Sequence, residues 1–261
     1  MSSVTVPVEV VSDRDEAPIV LMDFARFTTE VTLADLMHEE AARRGLYRMD
    51  GVEVFAAAGG SSTIDEVARA CHASLAGLGV RPAGLLGYCS AATLTLRLAD
   101  EFAARDGCRP ELALVDPTWP DPPLIAADLA EALASLDAAP TPDAVAMDLP
   151  SVLAVLHDQL GHKLAADGTP DEEIELCVDL MLDRYRAWFG FLFATLGTPV
   201  PEPAERVLVV LSAERDRRVP PQWPVGRAIE ERVPLTVQEM LSSADVRERL
   251  CAHVDGGGQP R

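Results

Sequence analysis

Apolar runs alternate with helical repeats along most of this chain, with glycine or capping residues between them. That alternation favours a parallel sheet with helices on both faces. APIVLMDF (17–24) reads as the first strand, and VTLADLMHEEAARRG follows as a helix. VEVFAAAGG (52–60) reads as a second strand ending in glycines. SSTIDEVARACHASLAGLG then places Ile64, Val67, Ala68, Cys71 and Leu75 at helical spacing behind capping residues. PAGLLGYC is a third strand, and SAATLTLRLADEFAARDG is a helix closed by Gly107. PELALVDPTWP (110–120), broken at Pro117, and ERVLVVLSAERD (205–216) are the fourth and fifth strands. SSADVRERLCAHV is the last helix.

Between 121 and 200 the alternation stops. That stretch holds helical patterns only: IAADLAEALASL, SVLAVLHDQLGHKLAA and DEEIELCVDLMLDRYRAWFGFLFATLG. The reading is an α/β core over 17–120 and 201–254, carrying an all-helical lid insertion over 121–200. Residues 1–16 form an N-terminal extension and 255–261 a disordered tail. A helical insertion at that place can cover the carboxyl ends of the strands, where open α/β sheets bind ligands.

The chain has 261 residues, 48% of them hydrophobic, enough for one sizeable core. A net charge of −20 argues against a nucleic-acid partner. RDRRVPPQWPVGR is the best candidate for a local basic patch, and it reads as a solvated loop after a strand. Five cysteines without CxxC spacing imply neither a zinc site nor a disulfide framework, so a reducing, cytoplasmic setting is expected. The opening MSSVTVPVEVVSDRDEAP lacks a basic segment followed by an apolar one, and no run is long enough to span a membrane. Composition sets no oligomeric state.

Gly87-Tyr88-Cys89-Ser90-Ala91 stands between the third strand and its helix. That is the context of a nucleophile elbow, a sharp turn that tolerates only small residues two places either side of the nucleophile. Gly87 and Ala91 meet that need. The helix that follows aims its unpaired N–H groups and positive dipole end at the sulfur, which favours the thiolate. The Ser90 N–H is one candidate oxyanion donor. The alternative is a small buried cysteine in a tight strand–helix turn.

These elements, with the elbow and LVDP as the sharp motifs, resemble the α/β-hydrolase family over about residues 17–250. Within it the chain looks like the thioesterases of nonribosomal peptide and polyketide assembly lines, some of which carry a cysteine nucleophile. A related group shuttles aminoacyl groups between carrier proteins. The resemblance implies Cys89 as nucleophile and Asp116 in ALVDP as the acid, with Asp216 as the alternative. It implies an acyl or peptidyl carrier protein as partner, a thioester substrate carried on phosphopantetheine, and no further cofactor.

Two family features are missing. The glycine-rich turn after the first strand is replaced by MDFARFTTE, leaving a backbone N–H near Phe24 or Ala25 as second oxyanion donor. The family's histidine falls near Val237, Gln238 or Glu239, where no histidine stands. His253, inside or after the last helix, is the late candidate base. His157 and His162 are lid candidates, and His38 and His72 are weaker ones.

Cysteine changes the chemistry. Its acyl-enzyme is itself a thioester, so loading from a carrier thioester is nearly balanced and a second thiol can collect the acyl group. Cysteine also depends less on a base than serine does. Three readings remain open: a cysteine-dependent thioesterase or acyltransferase of secondary-metabolite biosynthesis, a degenerate hydrolase-fold protein that binds an acyl group or carrier protein, and an esterase or cyclase with an unusual site.

Overall fold

The computed structural model describes residues 5–24, 31–58, 62–141, 144–214, 219–220 and 222–257. Its centre is a seven-stranded sheet built from β1 (Glu9–Ser12), β2 (Ile19–Asp23), β3 (Leu46–Asp50), β4 (Gly84–Tyr88), β5 (Glu111–Val115), β6 (Val207–Leu211) and β7 (Ala228–Arg232). The order is β1-β3-β2-β4-β5-β6-β7. β1 runs antiparallel to β3, and every other pair is parallel. The middle strands IVLMD, GLLGY and VLVVL are buried at every position, as strands covered on both faces must be.

The helices are α1 (Leu33–Met37), α2 (Gly51–Ala57), α3 (Ile64–Gly77), α4 (Ala92–Asp106), α5 (Pro122–Ser135), α6 (Leu149–Ala166), α7 (Asp171–Leu196), α8 (Val237–Met240) and α9 (Ala244–Ala252). In α3 the residues Ile64, Val67, Ala68, Cys71 and Leu75 face the core, behind a capping box made by Thr63 and Glu66. No helix among the described residues is long and apolar enough to cross a membrane.

Two expectations need correction. The strand expected at 52–60 is helical where described, and the true strand is β3, just before it. Asp50 turns strand into helix by accepting the N–H groups of Val52 and Glu53 at 2.9 and 3.2 Å. That cap outweighs the β-branched character of Val52 and Val54. Residues 1–16 also contain a piece of the sheet, because Glu9 and Val10 pair with Arg48 and Tyr47.

The chain moves from β2 outward to β3, then returns across β2 to β4 and continues through β5 and β6. The order reverses between β2 and β4, and the crevice outside their carboxyl ends is the natural ligand site of such a sheet. The last turns of α7 pack there. The Phe191 ring packs tilted at 5.4 Å against Phe24, which follows β2, and meets Phe55 of α2 edge-on at 6.1 Å. Phe191 is fully buried, a contribution of about 1.5–3 kcal/mol.

Candidate functional site

Cys89 follows β4 directly and takes a left-handed φ of 51°. That conformation costs an L-residue about 1–2 kcal/mol, so the turn is held by its surroundings. A Cβ on Gly87 would overlap Thr95 Oγ1 and lie 2.9 Å from Thr95 Cβ, so only glycine fits two places before the sulfur. Ala91, two places after it, is fully buried. Cys89–Ala91 form a single 3₁₀ turn that leads into α4, with Ser90 at the head of the helix. The first N–H groups of a helix lack an intrahelical acceptor, which suits Ser90 to an oxyanion.

Two hydroxyls approach the sulfur. Thr118 Oγ1 is 3.5 Å and Ser90 Oγ 3.9 Å from Cys89 Sγ. Thr118 also donates its backbone N–H to the Cys89 carbonyl at 3.1 Å. Cys89 is 2% exposed and Thr118 equally buried, so this contact lies under cover.

Asp116 follows β5 with a φ of 47° and is fully buried. Its N–H donates to the Val210 carbonyl at 2.8 Å. Its carboxylate accepts the Ser212 N–H at 2.9 Å and the Ser212 hydroxyl at 3.2 Å. Asp116 therefore stands at the carboxyl edge, one strand over from Cys89, and fastens its turn to the end of β6.

His253 is not there. Its Nε2–H donates to the Leu112 carbonyl at 2.9 Å, with Glu111 Oε2 at 3.8 Å. Val254 packs where a Cβ on Gly84 would lie. The segment after α9 thus crosses the amino ends of β4 and β5. In the sheet register Leu112 lies beside Leu85, four residues before Cys89. That places His253 on the order of 13 Å from the elbow at about 3.3 Å per residue.

The other imidazoles are elsewhere too. His157 on α6 sits between Asp158 and Glu175 at 3.7 and 3.6 Å. His162 and His38 are exposed. His72 meets Asp106 at 2.9 Å between α3 and α4. Among the described residues, which include all five histidines, no imidazole is hydrogen-bonded to Cys89. The stretch matched to the family's histidine turn is a helix start, where Thr236 and Glu239 form a capping box. Ala25 and Asp216 lie outside the described residues.

Beside the elbow, Met22 of β2 pairs with Gly87, and the next residue, Asp23, is a buried carboxylate. It accepts Arg48 Nε at 2.7 Å and the Leu33 N–H at 2.8 Å. Burial raises its pKa above the ordinary carboxylate value, and the bonds to Arg48 and Leu33 oppose that shift. Arg48 also meets Glu9 at 2.9 Å and Asp50 at 3.8 Å. The described residues hold no group of three or more His, Cys, Asp or Glu placed to bind a metal ion. Sequence reasoning missed Thr118 and Ser212. The only available signal was a hydroxyl two places after the acid in VDPT and one directly after VLVVL.

No family profile matches the sequence, and no curated protein is similar to it in sequence. Solved structures are similar in fold. The NocB thioesterase domain, in covalent complex with a fluorophosphonate nocardicin G analogue, is 16% identical and aligns with 97% of this chain and 100% of its own, at a TM-score of 0.54. Holo-AB3403, a four-domain nonribosomal peptide synthetase, is 16% identical over 97% of this chain and 20% of its own, at a TM-score of 0.57. The hydrolase olei00960 from Oleispira antarctica is 10% identical over 97% of this chain and 95% of its own, at a TM-score of 0.53. At these identities the likeness establishes the fold, which is that of the α/β-hydrolases.

Proposed function

We propose that the protein moves acyl or aminoacyl groups between thiols through an acyl-Cys89 thioester. The donor is a thioester on the phosphopantetheine arm of a carrier protein, as in secondary-metabolite assembly. The observation that carries this reading is a cysteine on a strained elbow at the switch point of the sheet, with hydroxyls at the sulfur and every imidazole elsewhere.

The reaction explains why a missing imidazole is tolerable. The Cys89 thiolate attacks the thioester carbonyl, with the Ser90 N–H directed at the developing oxyanion. The new C–S bond forms to Cys89 and the C–S bond to the arm breaks. The electron pair leaves on the arm's sulfur, so one thiolate replaces another and no net proton moves. An acceptor thiolate reverses the sequence. Hydrolysis instead needs a proton taken from water, and a positioned base contributes about a hundred- to ten-thousand-fold there. The site therefore favours transfer over hydrolysis. Because the sulfur is covered, loading includes a step that uncovers it.

A second reading is favoured by that same cover and by the missing imidazole: a hydrolase-fold protein that binds an acyl group or carrier without turnover. Intact mass separates the two. The protein and its Cys89→Ala variant are incubated with a panel of acyl and aminoacyl thioesters. Transfer gives an adduct on the parent alone, stable in buffer and discharged by added thiol. An adduct that decays in buffer identifies a thioesterase, and no adduct across the panel identifies the binding protein.

A further inference from the structure

We infer that Thr118 is a catalytic residue of this site, its hydroxyl donating to the Cys89 sulfur whenever that sulfur is anionic. The inference rests on the thiol-transfer reading for the reaction it serves, while the contact itself is geometric. Thr118 Oγ1 lies 3.5 Å from Sγ, and the Thr118 N–H holds the Cys89 carbonyl at 3.1 Å. The two residues are thus joined twice, once through backbone and once through side chain.

The turn that carries Thr118 has little freedom. Two residues earlier, Asp116 is fixed to β6 through its own N–H and through both bonds from Ser212. Pro117 lies between them and restricts the chain further. Ser212, Asp116, Thr118 and Cys89 therefore form one connected line across the carboxyl edge of β6, β5 and β4. Where the related fold uses an acid to orient a histidine, the acid here holds a turn whose hydroxyl reaches the nucleophile directly.

A hydroxyl cannot serve as a general base at neutral pH, and this reaction asks for none. Its proton stays on Thr118 throughout. The hydrogen bond stabilises the attacking thiolate, is lost as the acyl–sulfur bond forms, and is restored when Cys89 departs as the leaving group. Hydrogen bonds to charged groups are the strong ones, more so away from water, and Thr118 is buried. The same donor therefore serves both half-reactions.

The test is a pH titration of the ultraviolet absorbance of the thiolate, which needs neither substrate nor reagent access. It is run on the parent, Thr118→Val and Thr118→Ser, each with its Cys89→Ala counterpart subtracted. Asp116, the nearest carboxylate on the same turn, is common to all of them. The valine variant should ionise Cys89 about one pH unit later, leaving about tenfold less thiolate at a given pH. The serine variant should return to the parent curve, which mere filling of space would not predict. A valine curve that superimposes on the parent overturns the inference. Thr118→Ala supplies the same comparison if the valine chain does not fold. A parent that forms no acyl adduct overturns the transfer reading, and with it any catalytic role, but leaves the Thr118 hydrogen bond to the sulfur to the titration; adduct formation with an unmoved titration overturns the role of Thr118 alone.

Discussion

Ser212, the first residue beyond β6, gives both its backbone N–H and its hydroxyl to the carboxylate of Asp116, at 2.9 and 3.2 Å. The Asp116 carboxylate is thereby committed to holding two strand ends together. That commitment sets the first of four expectations.

Replacing Asp116 with alanine leaves two buried donors on Ser212 without this acceptor and keeps a left-handed φ on a residue that resists it. The expected loss is about 1–3 kcal/mol for the buried donors. Asp116→Asn keeps an acceptor oxygen and tolerates the backbone, so its loss should be smaller. Urea unfolding of both variants measures the difference. Equal losses would contradict the clamp.

His253→Ala separates structure from chemistry. The Leu112 carbonyl loses a buried donor, so stability should fall by about 1–3 kcal/mol. Acylation of Cys89 should keep the parent rate, because the imidazole sits at the opposite edge of the sheet. A collapse of acylation in a chain that still folds would return His253 to the reaction.

The thiols should divide by environment. Burial pushes the Cys71 thiol up to about 12, and burial with Glu40 and Asp255 nearby pushes Cys251 up to about 11. At pH 8 their thiolate fractions are roughly one in ten thousand and one in a thousand. Brief alkylation of the folded protein, read by peptide mass, should leave both unmodified, and urea should expose both. Rapid native labelling of Cys71 would contradict its place on the core face of α3.

Asp23 gives a pH dependence of defined sign. Its folded pKa is raised, so the folded state holds the proton more readily than the unfolded chain does. Its titration thus contributes stability fully below the unfolded value, near 3.8, and loses it as pH rises through the folded value. Relative to Asp23→Asn, which lacks this titration, the parent should gain stability as pH falls through that window. Unfolding midpoints of the two chains at several pH values test this, and a parent that loses ground toward acid would reverse the assignment.

The central strands were legible because each is covered on both faces and so reads as an unbroken apolar run: IVLM, GLLGY, LALV and VLVVL. The edge strands EVVS and AIEER carry charges toward solvent and lack that signature. β3 was missed for another reason. Arg48 stands in its middle, and the carboxylates that make it tolerable come from β1, β2 and the end of β3 itself. α2 was misread because a cap at Asp50 decided what the side chains of VEVF did not.

The elbow was equally legible, since crowding at a strand–helix turn leaves a local pattern of small residues around Cys89. Its partners were not. Asp116 could be placed because it ends a recognisable strand. His253 could not be excluded, because nothing within SSADVRERLCAHV tells which end of the sheet the helix reaches. By itself the sequence determined the alternation of strand and helix, the helical stretch between β5 and β6, and the cysteine at the turn, because each depends on neighbours within one or two turns of chain. Only the tertiary structure decided that Thr118 meets the sulfur, that Ser212 holds Asp116 and that His253 lies at the opposite edge. Those relationships join residues 29, 96 and 141 positions apart, and strand order, not local pattern, brings them together or keeps them apart.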